Sequence, residues 1–210
     1  MQKLFKDVSK RIYKQRRKPS NKNINTENDT KRLWNSRYIA SIRCKQEHGL
    51  CCFKKTKELL TNINPKYAKS TKPLKIRLEM DEMWGRVYCK ETPCWLWHAI
   101  NHENGDVVAY VLGSREHEML WELWGLIAEL NIEIIKVYSD DNFAYHDIIP
   151  RNILRTGKRK TQKIERKHLT FRTRLKRLAR KTICYSKSLE MHKIVFGLLI
   201  NVLEFECQLF

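Results

Sequence analysis

Three acidic residues have the types and spacing to act together: Asp81, Asp140 and Glu165. Asp81 ends a stretch in which apolar and charged residues alternate, as in a half-buried strand, and Asp140 ends a run rich in β-branched residues. Glu165 lies near the start of a segment with helical spacing. If the two strands are neighbours, their ends converge, and a helix crossing that edge adds the third carboxylate. Because converging carboxylates repel one another, the arrangement predicts a site for hard divalent cations.

Such a site is suited to phosphodiester chemistry. Two Mg²⁺ or Mn²⁺ ions would activate an attacking water or 3′-hydroxyl and stabilise the leaving oxygen. Taken alone, each acid has a plainer interpretation, as a turn residue or an ion-pair partner. The prediction depends on their combination, to which Glu165 contributes most, because it is the single acid among fourteen Lys and Arg residues in 151–181.

Basic residues are concentrated in two segments of the chain. Residues 1–34 carry eleven Lys and Arg against three acids, and residues 151–181 carry fourteen against one, within a total net charge of +19. The remainder of the chain is therefore close to neutral. Clustered cations release counterions from phosphates while a near-neutral core folds without self-repulsion, so this distribution favours nucleic acid as the partner over two solvated charge runs.

The elements that must position the acids follow the order strand, strand, strand, helix, strand, helix, strand, helix. Hydrophobic periodicity and turn residues give their bounds. The predicted strands are 75–81, 94–100, 107–113, 132–139 and 153–155, with a turn at 101–105, and the predicted helices are 114–130 with Ser114 as N-cap, 143–149 and 161–181. Three meandering strands followed by alternating helix and strand predict a mixed α/β fold of the ribonuclease-H-like type.

Four regions follow from composition. Residues 1–34 form a basic arm, partly disordered or helical, and residues 35–74 a helical linker or a remnant of an N-terminal DNA-binding region. Residues 75–187 form the ribonuclease-H-like domain, and residues 188–210 a hydrophobic helix that packs on it. The apolar side chains of this last helix exceed what a terminal helix buries easily, so a homodimer is a further hypothesis.

The seven cysteines form an odd set without paired spacing, and no apolar signal region follows Met1. Both observations favour reduced thiols in the cytoplasm. Cys44, His48, Cys51 and Cys52 cluster without two Cys-x-x-Cys pairs, so we expect no zinc. The longest apolar run, at 194–203, has about half of the ~20 residues that a membrane helix requires, so we expect no membrane partner.

Five motifs stand out between residues 75 and 205. They are Asp81-Glu82-Met83-Trp84-Gly85, Ser139-Asp140, Lys160-Thr161-Gln162-Lys163-Ile164-Glu165-Arg166, Arg172-Thr173-Arg174-Leu175 and Tyr185-Ser186-Lys187-Ser188. These motifs resemble the transposases of the insertion sequence 1 family, of the InsB type, and the similarity covers roughly residues 75–205. Twenty-four residues separate Asp140 from Glu165, the interval of this family's Asp-Asp-Glu triad.

The resemblance implies a bacterial mobile-element enzyme, associated with the nucleoid, that recognises terminal inverted repeats, nicks double-stranded DNA and joins the freed 3′ ends to a target. Asp81, Asp140 and Glu165 take the catalytic and metal-binding roles. Cations near Glu165 would contact the DNA backbone, which sets affinity and salt dependence and not sequence choice. These cations are Lys160, Lys163, Arg166, Lys167, Arg172, Arg174 and Arg177.

Two departures from the family's pattern leave alternatives open. Asp141 and Asn142 follow the second aspartate, where the family often has a small residue or Lys and then Trp, so Asp141 is a rival ligand. The family's N-terminal zinc finger and helix-turn-helix are not recognisable, so an upstream reading frame is a possible source of a DNA-binding partner. A structure-selective nuclease of the same fold and a non-catalytic DNA-binding remnant or inhibitor are the competing functions.

Overall fold

The computed structural model describes residues 57–157, 160–179 and 185–207, without the side chains of residues 89–92. The predicted basic arm and the cluster from Cys44 to Cys52 lie outside the described residues. The elements in chain order are α1 (Pro65–Ala68), β1 (Leu74–Val87), β2 (Cys89–Asn101), β3 (Val107–Gly113), α2 (His117–Ala128), β4 (Ile132–Ser139), α3 (Phe143–Ile148), β5 (Leu154–Thr156), α4 (Gln162–Arg174), a 3₁₀ helix (Lys176–Leu178) and α5 (Leu189–Leu203).

The strands form one mixed sheet in the order β3-β2-β1-β4-β5. The first three strands are antiparallel neighbours, whereas β4 runs parallel to β1 and β5 parallel to β4. The turn between β2 and β3 includes Gly105, whose φ of 75° is a left-handed conformation that favours glycine. This strand order and direction are those of the ribonuclease-H-like fold, which the order of elements predicts.

Helices cover both faces of the sheet. Alternate residues of β2 belong to two separate hydrophobic clusters, with Trp97 in one and Leu96 in the other. The first cluster includes Leu123 of α2 and Tyr145 of α3, and the second includes Phe171 of α4 together with apolar residues of α5. The sheet is therefore the middle of three layers, with helices burying both of its faces.

The first strand is longer than its hydrophobic pattern predicts. We expected it to end at Asp81, but β1 continues to Val87 because it remains paired with β2. Its pairing with β4 stops earlier, at Glu79 opposite Tyr138. Asp81 therefore lies within β1, two residues beyond the last pairing of β1 with β4 and close to the end of β4.

Two helix ends also differ from expectation. The N-cap of α2 is Glu116 and not Ser114, whose carbonyl accepts a hydrogen bond from Trp97 Nε1 at 2.9 Å. The helix predicted over 161–181 ends at Arg174, because Leu175 adopts an extended conformation. A short 3₁₀ helix follows and buries Leu178. Neither change moves Glu165, which lies in the first turn of α4.

Most apolar side chains of α5 are buried against other parts of the chain. Ile194, Val195, Phe196 and Leu199 are each no more than 6% exposed. Leu189 of the same helix is 49% exposed, so the homodimer stays a hypothesis. Among the described residues, no helix has the length and apolar character needed to cross a membrane.

Candidate metal centre

The end of β4 brings two of the predicted acids together. Asp140 directly follows β4, and the parallel register of β4 with β1 places it beside Asp81. Carboxylate oxygens of Asp81, Glu82 and Asp140 all lie within 4.8 Å of one another, the one such group of metal-ligating side chains in the described part of the chain. Carboxylate oxygens at this separation are suitable ligands for a hard divalent cation.

The electrostatics of Asp81 favour a cation. Burial, followed by the charges of Glu82, Asp140 and Glu165, raises the pKa of the Asp81 carboxyl to about 7, although a hydrogen bond from the Glu82 backbone opposes the shift. That backbone N–H donates to Asp81 Oδ1 at 2.8 Å. At neutral pH the ionised form of the Asp81 carboxylate therefore has a high free energy unless a cation lies beside it, and the alternative is protonation. This group of oxygen donors thus fits a divalent metal.

Glu82 was not among the predicted site residues. Its side chain is only 4% exposed, and its carboxylate accepts hydrogen bonds from Tyr145 Oη at 3.1 Å and Asn142 Nδ2 at 3.0 Å. Arg115 lies 3.3 Å away on the same carboxylate. Since Asn142 also caps α3, these contacts hold the start of α3 against β1, next to Asp140. The adjacent position in Asp81-Glu82 was the available sequence signal for this residue.

Glu165 lies near the acidic group without belonging to it. Its position in the first turn of α4 is the one predicted, and its side chain is exposed. Its charge is among those that raise the pKa of Asp81, so the two carboxylates interact. The structure therefore brings Asp81 and Asp140 into one cluster and places Glu165 at its margin.

Asp141, the rival ligand, points elsewhere. Its side chain is 84% exposed and pairs with His146 Nε2 at 2.9 Å.

A histidine of α4 borders Asp81, because His168 Nδ1 lies 3.8 Å from Asp81 Oδ2. Burial, and secondarily Arg172, lowers the pKa of His168 to about 4, so this neighbour is neutral and does not supply the missing positive charge.

The basic residues predicted to contact DNA have different surroundings. Lys163 Nζ donates to the carbonyl oxygens of His102 and Glu103, and Lys167 Nζ pairs with Glu204 Oε2 at 2.8 Å. These two ammonium groups therefore have partners within the chain, and their contact with DNA stays a prediction. The remaining five are Lys160 and Arg166, which are exposed, and Arg172, Arg174 and Arg177, which are partly buried.

Fold and site together define a ribonuclease-H-like protein with acidic residues clustered where β1 passes the end of β4. A family model described as IS1 transposase matches residues 75–206, more than half of the chain. The chain therefore belongs to the IS1 transposase family.

Individual relatives agree with this assignment. The chain is similar to the insertion element iso-IS1n protein InsB of Shigella dysenteriae, with 47% identity over 59% of this chain and 92% of that protein. It is also similar to the insertion element IS1 protein InsB of Shigella sonnei, with 35% identity over 61% of this chain and 96% of that protein. Among solved structures, a chain of the simian T-cell lymphotropic virus intasome in complex with the PP2A regulatory subunit B56 gamma is 16% identical, with a TM-score of 0.39 over 64% of this chain and 50% of that chain.

Proposed function

We propose that this chain catalyses metal-dependent DNA strand cleavage and strand transfer during transposition of a bacterial insertion sequence. The observation that carries the proposal is the convergence of the Asp81 and Asp140 carboxylates beside Glu82, within 4.8 Å. Family membership indicates the reaction class. The raised pKa of Asp81 indicates that its ionised form is stabilised by a cation.

In this proposal Asp81 and Asp140 hold the metal, which is Mg²⁺ or Mn²⁺, and Glu165 completes the ligand set from α4. When bound, the metal would activate the attacking hydroxyl and neutralise charge on the leaving oxygen. Glu82 orients the site, because its oxygens already accept hydrogen bonds from Asn142 and Tyr145. DNA carrying terminal inverted repeats and a target duplex are the substrates.

The proposal makes Glu165→Gln the critical variant. Glutamine keeps the shape and polarity of the side chain but removes the charge, so we expect strand transfer of terminal-repeat DNA to fall at least about a hundredfold, in the range of a strongly stabilising transition-state contact. The measurement is joining of a labelled repeat end to a target plasmid in Mg²⁺. Asp141→Asn is the matched control and should retain activity, because its carboxylate pairs with His146 at the surface.

The two products of the reaction separate the proposed function from its alternatives. A structure-selective nuclease would cleave the repeat end without joining it to the target. A DNA-binding remnant or inhibitor would bind without either product, with an affinity that weakens steeply with salt. Full joining activity in the E165Q variant would show that the site assignment is wrong.

A further inference from the structure

Glu79 is a buried carboxylate with no part in the ligand set. It is 0% exposed and lies two residues before Asp81 in β1, so the two side chains share a face of the sheet. A glutamate this deeply buried is uncommon unless it is hydrogen-bonded on several sides. Its contacts therefore indicate what it does.

Both oxygens of Glu79 have partners from other elements. Oε2 accepts a hydrogen bond from the backbone N–H of Ile164 at 3.0 Å, and Oε1 lies 2.6 Å from His102 Nδ1. Ile164 is in the first turn of α4, immediately before Glu165. A carboxylate at this end of a helix satisfies a backbone donor and interacts favourably with the helix dipole.

The local cap of α4 does not supply this interaction. Thr161 is the N-cap residue, and its side chain makes no capping hydrogen bond. Glu79 supplies an acceptor from β1 in its place. The first turn of α4 is thus attached to the strand that carries Asp81 and is not fixed only by its own sequence.

The first turn of α4 is also attached to the turn after β2. Lys163 Nζ donates to the carbonyls of His102 and Glu103 in the turn after β2. The His102 ring packs on the ring of Tyr138, with centroids 4.8 Å apart. Tyr138 belongs to β4 and lies two residues before Asp140. Glu79 and His102 therefore connect the strand of Asp81, the strand that leads to Asp140 and the helix turn of Glu165.

We propose that Glu79 is a positioning residue that sets the distance of Glu165 from Asp81 and Asp140 by capping α4 from β1. This inference rests on the proposed function for its catalytic consequence, but its structural part can be tested without catalysis. Partners that orient metal ligands typically contribute ten- to hundredfold to metal affinity.

The test compares Glu79→Leu with Glu79→Gln in the full chain. Leucine fills a similar volume and removes both acceptors, so we expect the Ile164 amide to exchange about tenfold faster and the affinity for Mn²⁺ alone to fall about tenfold. Glutamine retains an oxygen acceptor and should keep amide exchange and Mn²⁺ affinity close to wild type. Glu103→Gln is the matched control, because Glu103 lies in the adjoining turn with a side chain that is 57% exposed.

Unchanged exchange at Ile164 and unchanged Mn²⁺ affinity in the E79L variant would overturn the proposal. So would a tenfold loss of Mn²⁺ affinity in the E79Q variant with Ile164 still protected, because charge and not the cap would then be responsible. The E79Q comparison remains decisive if E79L does not fold. A wild-type protein that binds Mn²⁺ but joins no DNA, with these effects intact, would contradict only the proposed function.

Discussion

At the scale of single residues, burial changes the chemistry of acids and histidines in opposite directions. It raises the pKa of Asp81 to about 7 and lowers the pKa of His168 to about 4. Both shifts favour the neutral form, because low polarity penalises either charge. The acidic group therefore receives little compensation from its nearest buried histidine, and an external cation is the effective way to keep Asp81 ionised.

We expect Mg²⁺ to raise the melting temperature of the wild-type protein and to have little effect on Asp81→Asn. Binding to the folded state alone stabilises it, and asparagine removes the ligand charge. Because the metal competes with a proton whose pKa is about 7, the shift in wild type should be larger at pH 8 than at pH 6. Thermal denaturation with and without Mg²⁺ measures it.

The control for this prediction is Glu133→Gln, since Glu133 is an exposed acid on β4 that pairs with Lys75. It should respond to Mg²⁺ as wild type does. An Asp81→Asn variant with a full Mg²⁺ response would place the metal elsewhere.

His192 gives a second pH dependence, remote from the acidic group. Burial, and secondarily Arg177, lowers its pKa to about 4, and Ser186 Oγ lies 2.7 Å from its Nδ1. The unfolded chain takes up the proton near pH 6.5, whereas the folded chain resists until about pH 4. This contribution to stability is therefore complete above pH 6.5 and is lost as the pH falls towards 4.

Between pH 7.5 and pH 5 we expect His192 to account for about 2 kcal/mol of the loss in unfolding free energy. His192→Gln should reduce the acid sensitivity by that amount, as measured by urea denaturation at the two pH values. His117→Gln, which removes a histidine whose side chain is 54% exposed, is the control variant for the same two measurements. Equal pH dependence in wild type and His192→Gln would refute the assignment.

The residue pattern predicted part of the site and missed the part that depends on contacts. Asp81 and Asp140 were recognisable because strand periodicity and β-branched composition place them where parallel strands meet. The buried roles of Glu79 and Glu82 were not, since alternation marks Glu79 as a charged, solvent-facing position. The contacts of Lys163 were likewise not predictable, since its partners are carbonyls distant in sequence.

At the scale of elements, α4 is the piece that must be placed correctly, because it carries Glu165. Its polar side chains leave a narrow apolar face in which Ile164 and Phe171 are completely buried. Phe171 packs edge-on against Phe196 of α5, with ring centroids 5.8 Å apart, and also contacts His98 of β2. Packing against both the sheet and α5 fixes the helix more firmly than its own propensity would.

Phe171→Ala should lower the free energy of unfolding by about 3–5 kcal/mol, the usual cost of truncating a fully buried phenylalanine. Leu169→Ala, on the same helix but 63% exposed, should change it by less than about 0.5 kcal/mol. Urea denaturation of the two variants gives the comparison. Similar losses in both would mean that α4 packs on another face.

Elements with strong local signals were predictable, and their ends were less so. The bounds of β3 and β4 follow from periodicity and flanking turn residues, and the structure confirms them. The end of α4 has no such signal, because no Gly or Pro stands between Gln162 and Lys181. In the structure the helix ends at Arg174 and the chain continues through an extended Leu175 into a 3₁₀ helix, with Leu175 and Leu178 both buried.

At the scale of the whole molecule, positive charge must be divided between DNA binding and folding. Neighbouring residues of α4 illustrate the division. Arg166 is exposed, whereas Lys167 and its partner Glu204 have side chains only 20% and 10% exposed. A cation already paired with a buried carboxylate releases few counterions on binding DNA, so we expect a count of basic residues to overstate the DNA-binding charge.

This division predicts different effects for two adjacent substitutions. Arg166→Ala should weaken binding to duplex DNA and reduce the slope of log affinity against log salt by about 1, because one phosphate contact is lost. Lys167→Ala should leave the slope near wild type but lower the melting temperature, because it leaves the Glu204 carboxylate without its partner. Fluorescence anisotropy across a salt series and thermal denaturation measure the two effects. If Lys167→Ala reduced the salt slope as much as Arg166→Ala, the ammonium of Lys167 would have to leave Glu204 for the DNA.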